Sequence, residues 1–268
     1  MRTVVALARG VTLPAPPAAD APTRQRYAFL RTQDFTARVN SGAAPYVVKG
    51  VLSAESYAVM YGAPSEGKTF VALDLAYAVA QGREWHGCKV NAGLVVYIPF
   101  EGGGGLSKRV AALVRQYGHA DTFRVIDNPT YNLRDASGRK ALSADLHEAF
   151  GEDKPVLIII DTFARALKGG DENSAQDAGA FNQAIGALIE STGACVLLIH
   201  HSGKDKTKGA RGSSALLAAV DTEIRVDNGQ IVSTKQRDME EMPGLGFKLT
   251  TVAVGHDADG DPLTSLSL

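Results

Sequence analysis

Residues 57–69 read Tyr57-Ala58-Val59-Met60-Tyr61-Gly62-Ala63-Pro64-Ser65-Glu66-Gly67-Lys68-Thr69, and this stretch decides the fold. Its second part satisfies G-x-x-x-x-G-K-[ST] at every fixed position. Its first part is short, apolar and partly aromatic, as a buried strand is, and residues 70–80 carry apolar side chains at helical spacing. Strand, glycine-bearing loop and helix in that order make a phosphate cradle. Gly62 and Gly67 let successive N–H groups turn inward, and the helix starting near Lys68 aims its positive dipole end the same way. The reading predicts a nucleoside triphosphate site in which Gly62, Ala63, Pro64, Ser65, Glu66, Gly67, Lys68, Thr69 and Phe70 contact the nucleotide. Lys68 is expected to reach the β- and γ-phosphates, and the Thr69 hydroxyl to ligate Mg²⁺.

Downstream, residues 93–100 read as a buried strand with Glu101 at its carboxyl end, followed by Gly102 to Gly105 and a helical pattern over 106–117. In an open α/β sheet, ligands lie beyond the carboxyl ends of the strands, so this acid faces the nucleotide. Residues 155–162 form a near-continuous β-branched run ending in Asp161, which is how a central parallel strand presents a carboxylate to the Mg²⁺ shell. Between these strands, 123–127 reads as a further strand and 143–150 as a helix capped by Ser143. Residues 168–177 read as loop, 179–191 as helix, and 194–199 as a strand ending in His200 and His201.

The run 202–214 carries Lys204, Lys206, Lys208 and Arg211 against Asp205. It is either a solvated surface loop or a mobile loop that follows a nucleic-acid backbone. Residues 222–226, 230–237 and 246–254 alternate as strands of an antiparallel meander, with Asp227-Asn228-Gly229 as hairpin turn. The fold class is therefore α/β: a mostly parallel central sheet flanked by helices, with C-terminal antiparallel strands.

Upstream, 11–20 is a Pro/Ala segment of extended, solvated character, and 23–40 mixes Arg24, Arg26, Arg31 and Arg38 with Tyr27, Phe29, Leu30 and Phe35. We expect an N-terminal arm over 1–45 and one ATPase domain over 46–268, the arm either docking on the core, reaching a neighbouring subunit, or serving as a loose lead-in. With Lys+Arg 28 against Asp+Glu 29 there is no global basic field, so contact with a polyanion must come from local patches. The two cysteines, Cys88 and Cys195, lack metal-binding spacing; they suggest a reducing compartment and are expected to be buried bystanders. No stretch reaches membrane-spanning length, and a cytoplasmic location is expected.

Hydrolysis needs phosphate cradling, a metal and an oriented water. Glu101 is the expected general base, with a structural contact to a loop amide as its alternative role. His200 is expected to sense the γ-phosphate; His201 is the alternative, since adjacent strand residues face opposite sides. Lys235 and Arg237, at i and i+2, share one side of a strand, where they are ordinary surface charge in a monomer and a finger in trans in a ring.

In combination, GAPSEGKT (62–69), VVYIPFEGG (95–103), LIIIDTFAR (157–165), LLIHHSGK (197–204), KGARGSSAL (208–216) and KQR (235–237) make the chain resemble the RecA-like ATPases. More narrowly it resembles the RepA-type hexameric replicative helicases of plasmids and phages, over roughly 49–254. The resemblance implies ATP and Mg²⁺ at Lys68, Thr69 and Asp161, catalysis by Glu101, sensing by His200 or His201, and action of Lys235 and Arg237 across a subunit interface. It also implies single-stranded DNA contacts from the loops near 165–173 and 204–213, of which the second is the more basic. The function so implied is an ATP-driven hexameric ring that unwinds DNA in phage or plasmid replication with possible replication partners. A RecA-like DNA-binding or regulatory ATPase that assembles on a partner without unwinding is the alternative, and a small-molecule kinase is the least favoured, because the chain shows no Arg-rich lid.

Overall fold

The apolar runs become neighbouring strands of one sheet in the computed structural model, which describes residues 31–39, 46–101, 104–203, 210 and 212–268. The chain divides into two units, Met1–Ala43 and Ala44–Leu268. Of the first, the described part is α1 (Thr32–Val39), opened by an exposed ion pair between Arg31 and Asp34 at 2.8 Å. The Pro/Ala segment lies outside the described residues.

The second unit begins with a small hairpin, β1 (Tyr46–Val48) and β2 (Leu52–Ser53), and then enters β3 (Tyr57–Gly62) and α2 (Lys68–Gln81). There follow β4 (Val95–Pro99), α3 (Gly105–Tyr117), β5 (Phe123–Val125), α4 (Ala136–Phe150), β6 (Leu157–Asp161), α5 (Phe163–Ala166), α6 (Ala175–Thr192) and β7 (Cys195–His201). The chain closes with α7 (Ser214–Ala219), β8 (Thr222–Asp227), β9 (Gln230–Gln236), β10 (Leu245–Gly246), β11 (Thr250–His256) and β12 (Pro262–Ser267). Eight strands form the main sheet in the order β10-β9-β8-β3-β7-β6-β4-β5. From β8 to β5 the pairings are parallel, and β9 and β10 add an antiparallel edge. The mostly parallel sheet with late antiparallel strands is as the sequence predicts.

Burial explains the strand sequences. Every residue of β3, β4 and β6 is buried, because helices cover both faces, and such strands read as unbroken apolar runs. Alternate side chains divide between two cores. Ala58, Met60, Tyr97, Leu157 and Ile159 meet α2 on one face; Tyr57, Val59, Ile98, Ile158 and Ile160 meet Phe163, Phe181 and Ile185 on the other. Ten residues of α2, including the run from Val71 to Val79, are buried, so this helix is apolar on all sides and is covered by α3 and the C-terminal strands.

Three sequence expectations need correction. The helix expected over 143–150 begins at Ala136, and Ser143 is an exposed mid-helix residue; Asp135 holds the N-cap position. Only Leu142, Leu146 and Phe150 mark the periodicity, and the earlier turn carries no apolar signal. The next helix begins at Ala175, four residues before the expected start, because the Ser174 hydroxyl accepts from the Asp177 N–H at 3.2 Å and caps it. The late meander is split. Asn228 and Gly229 turn β8 into β9 with left-handed backbone at both positions, as expected, but only Leu245–Gly246 continues the sheet. Residues 250–256 instead pair with Pro262–Ser267 in a separate two-stranded sheet that packs on α3. Cys195 is buried as expected, whereas Cys88 is only half-buried.

One polar contact anchors α2 from beneath. Asp74, 3% exposed, accepts from the indole Nε1 of the fully buried Trp85 at 2.9 Å and pairs with Arg83 at 3.4 Å. Trp85→Phe, which leaves that carboxylate short of a donor, is expected to cost about 2–4 kcal/mol in chemical denaturation followed by circular dichroism. A loss below about 1 kcal/mol would show that the Arg83 pair suffices.

Candidate nucleotide site

The loop between β3 and α2 is shaped by two glycines for different reasons. A Cβ on Gly62 would come within 2.2 Å of the Val226 carbonyl oxygen, so the backbone of β8 permits no side chain there. Gly67 has φ 90° and stands as the N-cap of α2 without a side-chain cap. The first N–H groups of α2 are thus left for an external acceptor, and no acid in the first turn competes with an anion. Ala63 is half-buried and Pro64 and Ser65 are exposed at the loop crest. The Glu66 carboxylate turns aside to accept from the Asn228 N–H at 2.8 Å, tying the loop to the β8–β9 turn.

Lys68 is 6% exposed, and its ammonium donates to the carbonyls of Gly62 at 2.9 Å and Ala63 at 2.8 Å. Burial lowers its pKa, while the neighbouring charges of Asp161, Glu101 and Glu66 oppose that shift. The Thr69 hydroxyl donates to Asp161 Oδ2 at 2.9 Å, and Tyr97 donates its phenolic proton to the same oxygen at 2.5 Å. Asp161 Oδ1 is buried and has no partner among the described residues. Burial raises the Asp161 pKa; the bonds from Tyr97 and Thr69 pull it back, and the Glu101 charge adds to the rise. Phe70 carries the Arg109 guanidinium over its ring, 4.8 Å from the centroid.

The donor set suits a small hard cation: a threonine oxygen and a carboxylate with one unused buried oxygen. Among the described residues no group of three or more His, Cys, Asp or Glu side chains could form an all-protein cage. A magnesium ion would therefore take Thr69 and Asp161 from the protein and complete its shell with phosphate oxygens and water.

Strand parity decides what else faces this point. Positions 97 and 99 share one side, and Glu101, two residues beyond the end of β4, is near enough for its charge to act on both Asp161 and Tyr97. Its Oε1 accepts from the Thr162 hydroxyl at 2.8 Å and lies 3.7 Å from His201 Nε2. Among the described residues, the Glu101 side chain contacts the Thr162 hydroxyl. His200 is fully buried on the other face, edge-on to Phe163 at 4.9 Å, while His201 is a quarter exposed on the Glu101 side.

Lys235 and Arg237 lie elsewhere. β9 runs away from the loop, and Arg237 stands level with Tyr57, five residues or roughly 16 Å down the sheet from Gly62. The Lys235 ammonium donates to the Leu217 carbonyl at 2.9 Å, and the Arg237 guanidinium pairs with Asp221 at 2.6 Å. Lys204, Lys206, Lys208 and Arg211 lie outside the described residues. The frame around them is visible: Ser202 donates its N–H to the Gly62 carbonyl at 3.0 Å, and the Ser213 N–H to that of Glu172 at 2.9 Å. The loop expected over 165–173 is partly folded as α5, with Phe163, Ala166 and Leu167 buried and Lys168 donating to the Thr130 carbonyl.

Tyr97, Thr162 and Arg109 were not singled out from the sequence. Tyr97 was discoverable by counting back in twos from Glu101, and Thr162 by its adjacency to Asp161. Arg109 carried no signal beyond its place in the first turns of α3.

These features define a P-loop ATPase with a RecA-like core. A family model described as an AAA domain matches residues 22–207, and the chain belongs to that family. A comparison with curated proteins gave no match. Among solved structures, the chain is similar to one ATPase domain with a TM-score of 0.56 at 12% identity, over 80% of this chain and 92% of that one. It is also similar to the RadB recombinase, with a TM-score of 0.51 at 15% identity over 74% and 88% of the two chains. Among the described residues no helix is long and apolar enough to cross a membrane.

The raised Asp161 pKa has a consequence for stability. An unfolded aspartate titrates near about 4. Because the folded carboxyl holds its proton to higher pH, its stabilising contribution is complete below that value and is lost as pH rises through the folded pKa. Asp161→Asn is therefore expected to raise the thermal midpoint at pH 7 by roughly 2–4 °C, with the gap closing toward pH 4. The same variant should lose the further stabilisation that ATP gives the wild type only when Mg²⁺ is present. A midpoint below wild type at pH 7 would show that the Tyr97 and Thr69 bonds outweigh the cost of burial.

Proposed function

We propose that this chain is an ATP-hydrolysing, ring-forming translocase on single-stranded DNA, acting as a hexameric helicase in phage or plasmid replication. The observation that carries the hydrolytic part is the convergence of Lys68, Thr69, Asp161 and Glu101 at one end of the sheet. In this reading Lys68 and the α2 N-terminus hold the phosphates, and Thr69 with Asp161 holds Mg²⁺. Magnesium, when bound, neutralises charge on the phosphates. Glu101 orients the attacking water and takes its proton. Arg109, whose charge reaches Asp161, adds a cation beside the phosphates. His201, on the Glu101 side, is the γ-phosphate sensor in place of His200.

The ring rests on the position of Lys235 and Arg237. At the far end of the sheet they cannot serve the loop of their own chain, and a neighbour's phosphates are the target their charge fits. DNA contact is assigned to Lys204, Lys206, Lys208 and Arg211. Its support is that the segment carrying them leaves the sheet at Ser202, beside the loop, and returns against Glu172. The second reading, a RecA-like DNA-binding or regulatory ATPase that does not unwind, is favoured by the internal engagement of both cations, with Leu217 and Asp221.

Steady-state ATP hydrolysis at low salt, with and without single-stranded DNA, tests the proposal. DNA should stimulate the wild type, Glu101→Gln should lose roughly 100-fold or more in kcat, and Arg237→Ala should lose hydrolysis while keeping ATP affinity within a few fold. Hydrolysis indifferent to DNA, or an Arg237→Ala variant of full activity, would move the assignment to the second reading.

A further inference from the structure

We infer that Thr162 is a positioning residue that orients the Glu101 carboxylate. The inference rests on the assignment of Glu101 as general base. Thr162 is 2% exposed, whereas the Glu101 side chain is 45% exposed and reaches into a cleft of about 880 Å³ between α3 and the ends of β4 and β5. A glutamate on an open strand end samples many rotamers, and only a few aim a carboxylate oxygen at a bound water. Here one oxygen is tied to the buried frame: Oε1 accepts from the Thr162 hydroxyl at 2.8 Å. The His201 nitrogen, at 3.7 Å from the same oxygen, is too distant for a hydrogen bond. Oε1 is thus the oxygen fixed to the buried frame, and the carboxylate is oriented about that bond.

The backbone reinforces the tie. The N–H groups of Phe100 and Glu101 both donate to the Asp161 carbonyl, at 2.6 and 3.0 Å, so the ends of β4 and β6 are joined where these side chains depart. Asp161 and Thr162 consequently divide their work. The first turns its carboxylate to Thr69 and Tyr97, and the second turns its hydroxyl to Glu101. The separation between metal-binding acid and base is set by two adjacent residues of one strand end.

Thr162→Val removes the hydroxyl and keeps the shape. It is expected to lower kcat for ATP hydrolysis by about 10–100-fold while the KM for ATP stays within about twofold. Thr162→Ser, which keeps the donor, should recover to within about threefold of wild type. In a Glu101→Gln background, Thr162→Val should bring no further loss, since its effect passes through that carboxylate. Should valine not be accommodated, Thr162→Ala removes the same donor at lower volume. Unchanged kcat in Thr162→Val, equal damage by valine and serine, or an added loss in the Glu101→Gln background would each overturn the inference. If Glu101→Gln itself hydrolyses ATP at the wild-type rate, the assignment of the base fails instead.

Discussion

A carboxylate held out of water at the end of a fully buried strand is the constraint on which the site depends. Asp161 can sit there only because Thr69 and Tyr97 donate to one of its oxygens, and those donors come from α2 and from β4. The position of the phosphate-binding helix is thereby referred to the centre of the sheet. The loop is referred there from the other side, by Gly62 against the Val226 carbonyl and by Glu66 on the Asn228 N–H. The geometry of the cradle is thus held by contacts on both flanks rather than by the loop sequence alone. The arrangement leaves a buried acid with one unused oxygen, a cost in stability that a divalent cation would offset.

The sheet has two functional ends in the proposed reading. Parallel strands bring Gly62, Asp161, Glu101 and His201 to one end, because every strand from β3 to β4 points the same way. The single reversal at Asn228-Gly229 sends β9 back, and Lys235 and Arg237 arrive at the other end. One hairpin of two left-handed residues therefore separates the cations from their own phosphate loop. A closed ring of such chains, in which each supplies cations to its neighbour, requires this separation within the protomer.

Much of this was legible in the sequence, and the reasons are specific. The phosphate loop is readable because its glycines and lysine act through the backbone and need no distant partner. Asp161 is readable because a strand buried on both faces admits so few polar residues that one at its end stands out. The Asn228-Gly229 turn is readable because few residue pairs tolerate two left-handed positions. What was not legible depends on pairing. Which of His200 and His201 is buried depends on which face α5 covers, a tertiary fact. The first turn of α4 is solvated and leaves no periodic mark, and the fate of 250–256 depended on whether it found β9 or its own partner in β12. Tyr97, in the middle of β4, and Thr162, just past the end of β6, are ordinary residues until their hydroxyls are seen to bond the two acids.

The relation between the acids and the basic segment follows from the same topology. β7 ends at His201 beside Glu101, Ser202 bonds to the Gly62 carbonyl and bridges to the buried Ala210, and at Gly212 a side chain would collide with Glu172. Both ends of that segment are anchored, one on the phosphate loop and the other on the turn between α5 and α6. A ligand that repositions Glu101 or the loop acts directly on the first anchor, while the second holds the return point in place. In the proposed reading, a change at the phosphate loop reaches that segment through the bond between Ser202 and the Gly62 carbonyl.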